Sequence, residues 1–265
     1  MTKDTDLYRV YDRNFKIPET RRAPKGVARE FTFEFSNSSY ALEQHALKDY
    51  VGVDEEEQND MGSLQVDTTE SLTDAIYRRI ELSLAALFTT TNWSLNVSLA
   101  AGAAFSDNTT TSDPVRVYDT AGSVIIANSG KTPNMAILPR AGFLSVKNHV
   151  SILDRVKYTS SEVSKNMIQA LIGIAELHVP QSIYDTAADG VTFSGSAFFT
   201  NSFVGWKPAG GGGLKTPSAG YMFMGRQPRV RSWFDQERNA TAIEVEVKYQ
   251  PKVVASLTGY LINGI

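Results

Sequence analysis

The chain has 265 residues, 42% of them hydrophobic and 21% charged, which is enough to bury a sizeable core and excludes wholesale disorder. Its formal net charge of -3 excludes a general nucleic-acid-binding protein, which would be far more basic, so any DNA contact must come from a local patch. The absence of cysteine excludes disulfides and thiolate metal sites, and the sequence has no apolar run typical of a membrane span or a secretory signal.

The first segment, residues 1–30, is predicted to be an extended arm. Basic residues are dense in it, two prolines interrupt any helix, and no helical period appears. Such a segment cannot bury a core alone, so we expect it to lie on a partner. Residues 28–36 then alternate between apolar and polar, with Phe31, Phe33 and Phe35 on one face, which predicts a half-buried strand.

Residues 43–60 are acidic, with seven aspartates and glutamates against the single basic residue Lys48. Glycines and an asparagine punctuate the segment, which predicts a long, exposed excursion whose charge opposes that of the arm. The run Asp54 to Glu57 lacks the alternating ligands and the glycine of an EF-hand loop. We therefore expect it to be a solvated face or a charged contact between subunits.

The clearest helix is predicted over residues 68–88. Asp67 is the expected N-cap, and Glu70 would complete a capping box. At 1.5 Å per residue the helix would span about 30 Å. Apolar residues recur on one of its faces: Leu72, Ile76, Ile80, Leu84 and Leu87.

The rest of the chain predicts a mixture of helices and strands. A second helix is expected to begin at Asp113-Pro114, continue to about Asn128 and end at Gly130. Alternation around Ile243, Val245 and Val247 predicts a long strand. The other expected elements are a strand at 135–138, helices at 141–150 and 161–173, a strand at 177–179, loops over 182–220 and an apolar segment at 253–262.

No motif predicts a catalytic, cofactor or metal site. Residues 129–132 resemble the end of a phosphate-binding loop, but the earlier glycine of that motif is absent and a proline follows at once. The glycine run at 210–213 predicts a hinge or surface loop. Asp235 and Glu237 could pair as acid and base, but such neighbouring charges are common in a charged segment like 229–238. The histidines are too dispersed to indicate a zinc site: His45, His149 and His178.

The order of these pieces resembles the major capsid proteins of tailed bacteriophages with the Hong Kong 97-type fold. Three stretches carry the resemblance, which covers roughly residues 28–180, and it is their order that indicates the family. They are Tyr40 to Glu43 through Asp54-Glu55 and on to Asp67 to Glu70; Ser112 to Val115 through Gly130 to Asn134; and Met135 to Arg140 with Leu144, His149, Ile152 and Asp154 to Tyr158.

The resemblance implies an α+β chain that assembles with copies of itself and is not an enzyme. Pentamers and hexamers would form an icosahedral virion shell around double-stranded DNA, assembled in the cytoplasm of the host bacterium, with portal, scaffolding and decoration proteins as further partners and no cofactor or membrane. The implied parts are an N-terminal arm (1–30), an E-loop (31–66), a P-domain with the spine helix (67–132), an A-domain (133–225) and return strands of the P-domain (226–265).

The resemblance and the charges together give a set of contact residues. The E-loop would lie over the neighbouring subunit, and some family members cross-link an E-loop lysine to an asparagine; Lys48 is the only lysine in this E-loop, and no fitting asparagine is evident. The expected inter-subunit residues are Arg21, Arg22, Lys48, Asp54, Glu55, Glu56 and Glu57. The residues that we expect to face DNA are Lys3, Arg9, Arg13, Arg229 and Arg231, with salt bridges to a neighbour as the other interpretation.

Two other functions remain open at this point. An encapsulin-type compartment shell would share the fold but hold protein cargo. An α/β enzyme with an unrecognised site would be a compact monomer with a deep pocket.

Overall fold

The computed structural model describes the chain in two sheet-based units and an N-terminal hairpin. The described residues are 3–10, 17, 19–30, 36–107, 109, 111–158, 163–188, 190–211 and 213–265. None of the helices among these residues is both long and apolar enough to cross a membrane. The mixed α+β architecture agrees with the sequence-based expectation.

The first unit is a three-stranded antiparallel sheet in the order β10–β11–β3. The strands are β3 (Glu43–Gly52), β10 (Gly220–Asp235) and β11 (Ala240–Val253). Register places Ala240 opposite both Gly52 and Asp235, so β11 is central and a short turn joins it to β10. The predicted long strand is confirmed as β11, whereas the sequence did not predict β10.

A long helix, α2 (Leu64–Ala85), covers one face of this sheet. Its Ile76 and Ile80 pack against Val245, Val247 and Tyr249 of β11, since the alternation of β11 turns these three side chains towards the helix. At 1.5 Å per residue its 22 residues span about 33 Å. The predicted long helix is therefore confirmed.

The predicted start of that helix was wrong. Its N-cap is Ser63, not Asp67. The reason is a cap supplied from outside the helix: Glu56 accepts hydrogen bonds from Ser63 Oγ at 2.9 Å and from the Leu64 amide at 3.0 Å. A carboxylate at this position satisfies the free amide and complements the helix dipole.

The acidic segment is not the long excursion that its composition predicted. Most of it is strand β3, which pairs with β11 along all ten residues from Glu43 to Gly52. The short helix α1 (Val53–Glu57) follows directly. Most side chains of β3 are exposed, because it is an edge strand, but its backbone is held in the sheet.

An N-terminal hairpin adjoins this unit. It pairs β1 (Thr5–Val10) with β2 (Ser36–Ala41), and Tyr8 and Tyr40 are buried beside Phe223. The rings of Tyr40 and Phe223 stack with centroids 4.3 Å apart. The start of the arm, residues 5–10, therefore packs on its own chain, whereas its described residues 19–30 are exposed except for Gly26. Most of the predicted strand at 28–36, including its three phenylalanines, lies outside the described residues.

The second unit is a five-stranded mixed sheet with the order β4–β12–β9–β5–β6. Its strands are β4 (Asn96–Ser98), β5 (Met135–Ile137), β6 (Glu176–His178), β9 (Ser202–Gly205) and β12 (Gly259–Asn263). A separate hairpin is formed by β7 (Ile183–Asp185) and β8 (Gly195–Ala197). The helices are α3 (Pro114–Ser129), α4 (Arg140–Lys147), α5 (Val150–Val156) and α6 (Lys165–Leu171), and this unit holds the largest apolar cluster.

Local signals placed α3 correctly. Asp113 accepts hydrogen bonds from the amides of Val115 and Arg116, and Gly130 ends the helix in the left-handed conformation at φ 64°. The helix expected at 141–150 is instead two helices, because His149 caps a new one, α5.

Two further segments belong to the five-stranded unit. The last strand, β12, pairs with β4 and β9, and its Leu261 and Ile262 are fully buried. Helix α3 packs in the same unit through Tyr118 and Ile125. The division of the chain into an arm, an E-loop, a P-domain and an A-domain stays a prediction.

Candidate subunit-contact surfaces

An acidic tip lies at one end of the three-stranded sheet. We define it as residues 54–60, which include most of α1, together with the β10–β11 turn at 235–238. The amide of Val53 donates to the Asn239 carbonyl at 3.3 Å, which joins α1 to the turn. The tip has seven carboxylates and one guanidinium: Asp54, Glu55, Glu56, Glu57, Asp60, Asp235, Glu237 and Arg238.

Three of these carboxylates have internal structural roles, and one of them, Asp235, accepts the Glu237 amide at 3.0 Å. Glu55 accepts the Gly52 amide at 3.1 Å, and Glu56 caps α2 as described above. In contrast, Asp54, Glu57 and Asp60 are exposed, and the described part of the chain offers their side chains no hydrogen bond or ion pair. The tip is thus held by hydrogen bonds within its own chain, while Asp54, Glu57 and Asp60 are exposed to solvent.

A basic loop lies between β1 and β2. Its described residues 19–30 contain four basic and two acidic residues, and all except Gly26 are exposed. The loop has a turn in which the Gly26 amide donates to the Ala23 carbonyl at 2.9 Å. Its basic residues are Arg21, Arg22, Lys25 and Arg29.

An arginine cluster covers the sheet face opposite α2. Glu246, only 7% exposed, accepts hydrogen bonds from Arg231 and, at 3.1 Å, from Gln44, and Arg226 lies 3.8 Å away. The hydrogen bond from Arg231 holds the pKa of the Glu246 carboxyl below its usual range, and the charges of Arg229 and Arg226 act in the same direction. A β-bulge before Arg229 accompanies this crowding of cationic side chains.

Comparison with known proteins shows which class of molecule carries these surfaces. The major capsid protein of Burkholderia phage BcepMu is 23% identical to this chain, in an alignment that covers 95% of this chain and 83% of the phage protein. A phage-related protein from Bordetella bronchiseptica RB50 matches the whole chain with a TM-score of 0.76 at 22% identity, over 88% of its length. The capsid structure of cyanophage P-SCSP1u matches 98% of the chain with a TM-score of 0.64 at 10% identity, over 83% of its length. No known family profile matches the chain.

This chain has the fold of a phage major capsid protein. The resemblance to tailed-phage capsid proteins is confirmed, and so is the prediction that the chain is a major capsid protein. The matches indicate a structural, non-enzymatic role. Within the described residues, no group of three or more metal-binding side chains comes together.

The structure separates the predicted contact residues of this capsid protein into two groups. Asp54, Glu57, Arg21 and Arg22 are exposed. Glu55 is exposed as well but accepts the Gly52 amide, and the half-buried Glu56 caps α2. The ammonium group of Lys48 lies 4.9 Å from the Tyr50 ring and 5.8 Å from the Trp233 ring, so it packs on its own sheet.

The residues expected to face DNA are dispersed over the capsid protein. Arg231 pairs with Glu246 inside the arginine cluster, and Arg229 is beside it. Lys3 is exposed before β1, and Arg9 lies within β1, where its amide donates to the Leu214 carbonyl at 3.1 Å. Arg13 lies outside the described residues.

The centre of the arginine cluster, Glu246, was not predicted from the sequence. A signal was available: Arg229 and Arg231 are two residues apart, as are Glu244 and Glu246, and a turn separates the pairs. In a hairpin this spacing puts opposite charges on facing residues of one face. Recognising it required β10 to be predicted as a strand, and its arginines and proline concealed that.

Proposed function

We propose that this major capsid protein is the repeating subunit of a closed icosahedral head shell that encloses the double-stranded DNA of a tailed phage. The observation that carries the proposal is the match of nearly the whole chain to solved capsid proteins. The exposed, oppositely charged surfaces support it, since a shell subunit must present different patches that fit one another around an axis. The shell is assembled in the host cytoplasm and becomes part of the virion.

The proposal includes the partners expected of such a shell. Copies form pentamers and hexamers, and portal, scaffolding and decoration proteins complete the head. The chain itself catalyses no reaction. Within the described residues the groove beside the arginine cluster has a volume of about 510 Å³ and is lined by ion-paired side chains, among them Asp4 with Lys248, and not by a nucleophile set beside a base.

We further propose that DNA touches the shell through non-specific contacts. The candidate residues are Lys3, Arg9, Arg13, Arg229 and Arg231, whose charges would offset phosphate groups. Reversing the charges of Lys3, Arg9 and Arg13 should reduce the DNA content per head. Unchanged genome content and unchanged head stability would contradict this part of the proposal.

The direct test is to express the chain alone and examine it by negative-stain electron microscopy and light scattering. Closed shells or capsomer rings are expected. Because a scaffold can be required for assembly, the same test is repeated with the co-expressed scaffolding protein of the parent genome. A compact monomer at all concentrations and salts, in both experiments, would refute the proposal.

The contents of purified particles distinguish the phage shell from a cargo compartment built on the same fold. Nuclease-protected DNA in particles isolated from the producing host supports the head shell. A co-purified enzyme in particles free of nucleic acid would favour the encapsulin-type alternative.

A further inference from the structure

The acidic tip and the basic loop are attached to opposite ends of one extended stretch of chain. The acidic tip begins just after the last residue of β3, and the basic loop leads through β2 into its first residue. At about 3.3 Å per residue, β3 alone separates its two ends by about 30 Å. That distance is far beyond the reach of a side chain.

Within one copy, the described residues of the two surfaces do not meet. Among the described residues, no hydrogen bond or ion pair joins residues 19–30 to the acidic tip. The tip carries seven carboxylates against one guanidinium, and the described loop carries four basic residues against two acidic ones. Each surface therefore has charge that the described part of its own chain leaves largely uncompensated.

We propose that the basic loop of one copy binds the acidic tip of a neighbouring copy, so that subunits join head to tail. The inference rests on the proposed function, because it assumes that copies of this chain assemble. Two different patches that fit each other form a heterologous contact, the kind that generates closed rings. Charge complementarity would also steer the approach of subunits and fix their register.

A second copy suits both surfaces better than DNA does. DNA would accept the basic loop, but the acidic tip would repel it. Only a partner that presents positive charge in one place and negative charge in another can satisfy both. Every copy of this chain is such a partner.

A charge-exchange experiment tests the contact. One variant carries Arg21→Glu and Arg22→Glu, a second carries Glu57→Lys and Asp60→Lys, and a third combines all four changes. Glu57 and Asp60 are chosen because neither caps a helix. Each partial variant should raise the concentration needed for half-maximal assembly at least about tenfold, which corresponds to about 1.4 kcal/mol. The combined variant should regain most of the loss.

The control reverses two exposed acids elsewhere, Asp74→Lys and Asp119→Lys, which changes the net charge as much as the tip variant does. It should assemble near the wild-type concentration. Circular dichroism of the unassembled subunits identifies any variant that fails to fold. The concentration needed for half-maximal assembly should differ less between wild type and the partial variants as salt is raised from about 50 mM towards about 1 M, since salt screens exposed charges.

The outcomes separate this contact from the proposed function. If wild-type shells form and both partial variants assemble normally, the contact is refuted while the shell function stands. If the partial variants fail and the combined variant does not recover, the two surfaces do not bind each other. If only the loop variant fails, and it also packages less DNA, the loop binds DNA and the inference is wrong. If the wild type forms no particle, it is the proposed function that has failed.

Discussion

Helix α2 should owe its position to two buried isoleucines. Ile76 is 2% exposed and packs on Val245 and Val247, whereas the next residue, Tyr77, is 53% exposed. Replacing Ile76 with alanine removes three buried carbons, each contributing about 0.8 kcal/mol, and leaves a cavity that the rigid sheet cannot close. We therefore expect a loss of about 3–4 kcal/mol.

The measurement is chemical and thermal unfolding of the soluble subunit. For a chain of this size the loss corresponds to a fall in Tm of about 10 °C. Tyr77→Ala is the control, and it should cost less than about 1 kcal/mol because most of that side chain is already in solvent. Equal destabilisation by the two variants would refute the packing of α2 on β11 through this face.

Two further perturbations test the five-stranded unit. Burial lowers the pKa of His149 and the charge of Asp113 opposes that shift, so the unfolded state binds the proton at a higher pH than the folded state does. The free energy of unfolding should therefore be greatest above about pH 6.5 and should fall at lower pH, by at most about 1.4 kcal/mol per pH unit. His149→Gln should remove that part of the slope when unfolding is measured from about pH 5 to 7.5. A slope unchanged by the substitution would count against the buried, neutral imidazole. Gly259→Ala would push a methyl group into the Trp93 ring and should destabilise the subunit by about 1–3 kcal/mol in denaturant titration. The control, Gly213→Ala, should have little effect because the added methyl group meets no atom within 4 Å. Equal unfolding midpoints for the two variants would contradict the close packing at Gly259.

Local signals predicted the helices best. Helix α3 was placed to within a residue or two because its cap, its first-turn proline and its final glycine all lie within or beside the helix. The start of α2 was misplaced because its capping group, Glu56, comes from a separate helix. The periodicity of α2 revealed that the helix exists but not what lies before it.

Strands held by distant partners were harder to predict. The polar sequence of β3 resembles an exposed excursion, and only its pairing with β11, about 190 residues later, makes it a strand. In β10 the arginines and a proline obscure the alternation, and the bulges shift its register. The acidic and basic contact surfaces were recognisable as charge, but their placement at opposite ends of β3 depends on this long-range pairing.

Within the described residues the three-stranded unit is covered less completely than the five-stranded unit. The five-stranded unit buries a large apolar cluster by itself, whereas α2 covers only the middle of one face of the other sheet. The buried Val245 of β11 is paired with Leu47 of β3 and with Val230 of β10, and these two side chains are 40% and 46% exposed. Phe234 of β10, near the tip, is 53% exposed. A neighbour that covered these side chains would stabilise the sheet by binding its folded form. We therefore expect the stability of the sheet that carries the acidic tip to depend more on the proposed contact with a neighbour than the stability of the five-stranded unit does.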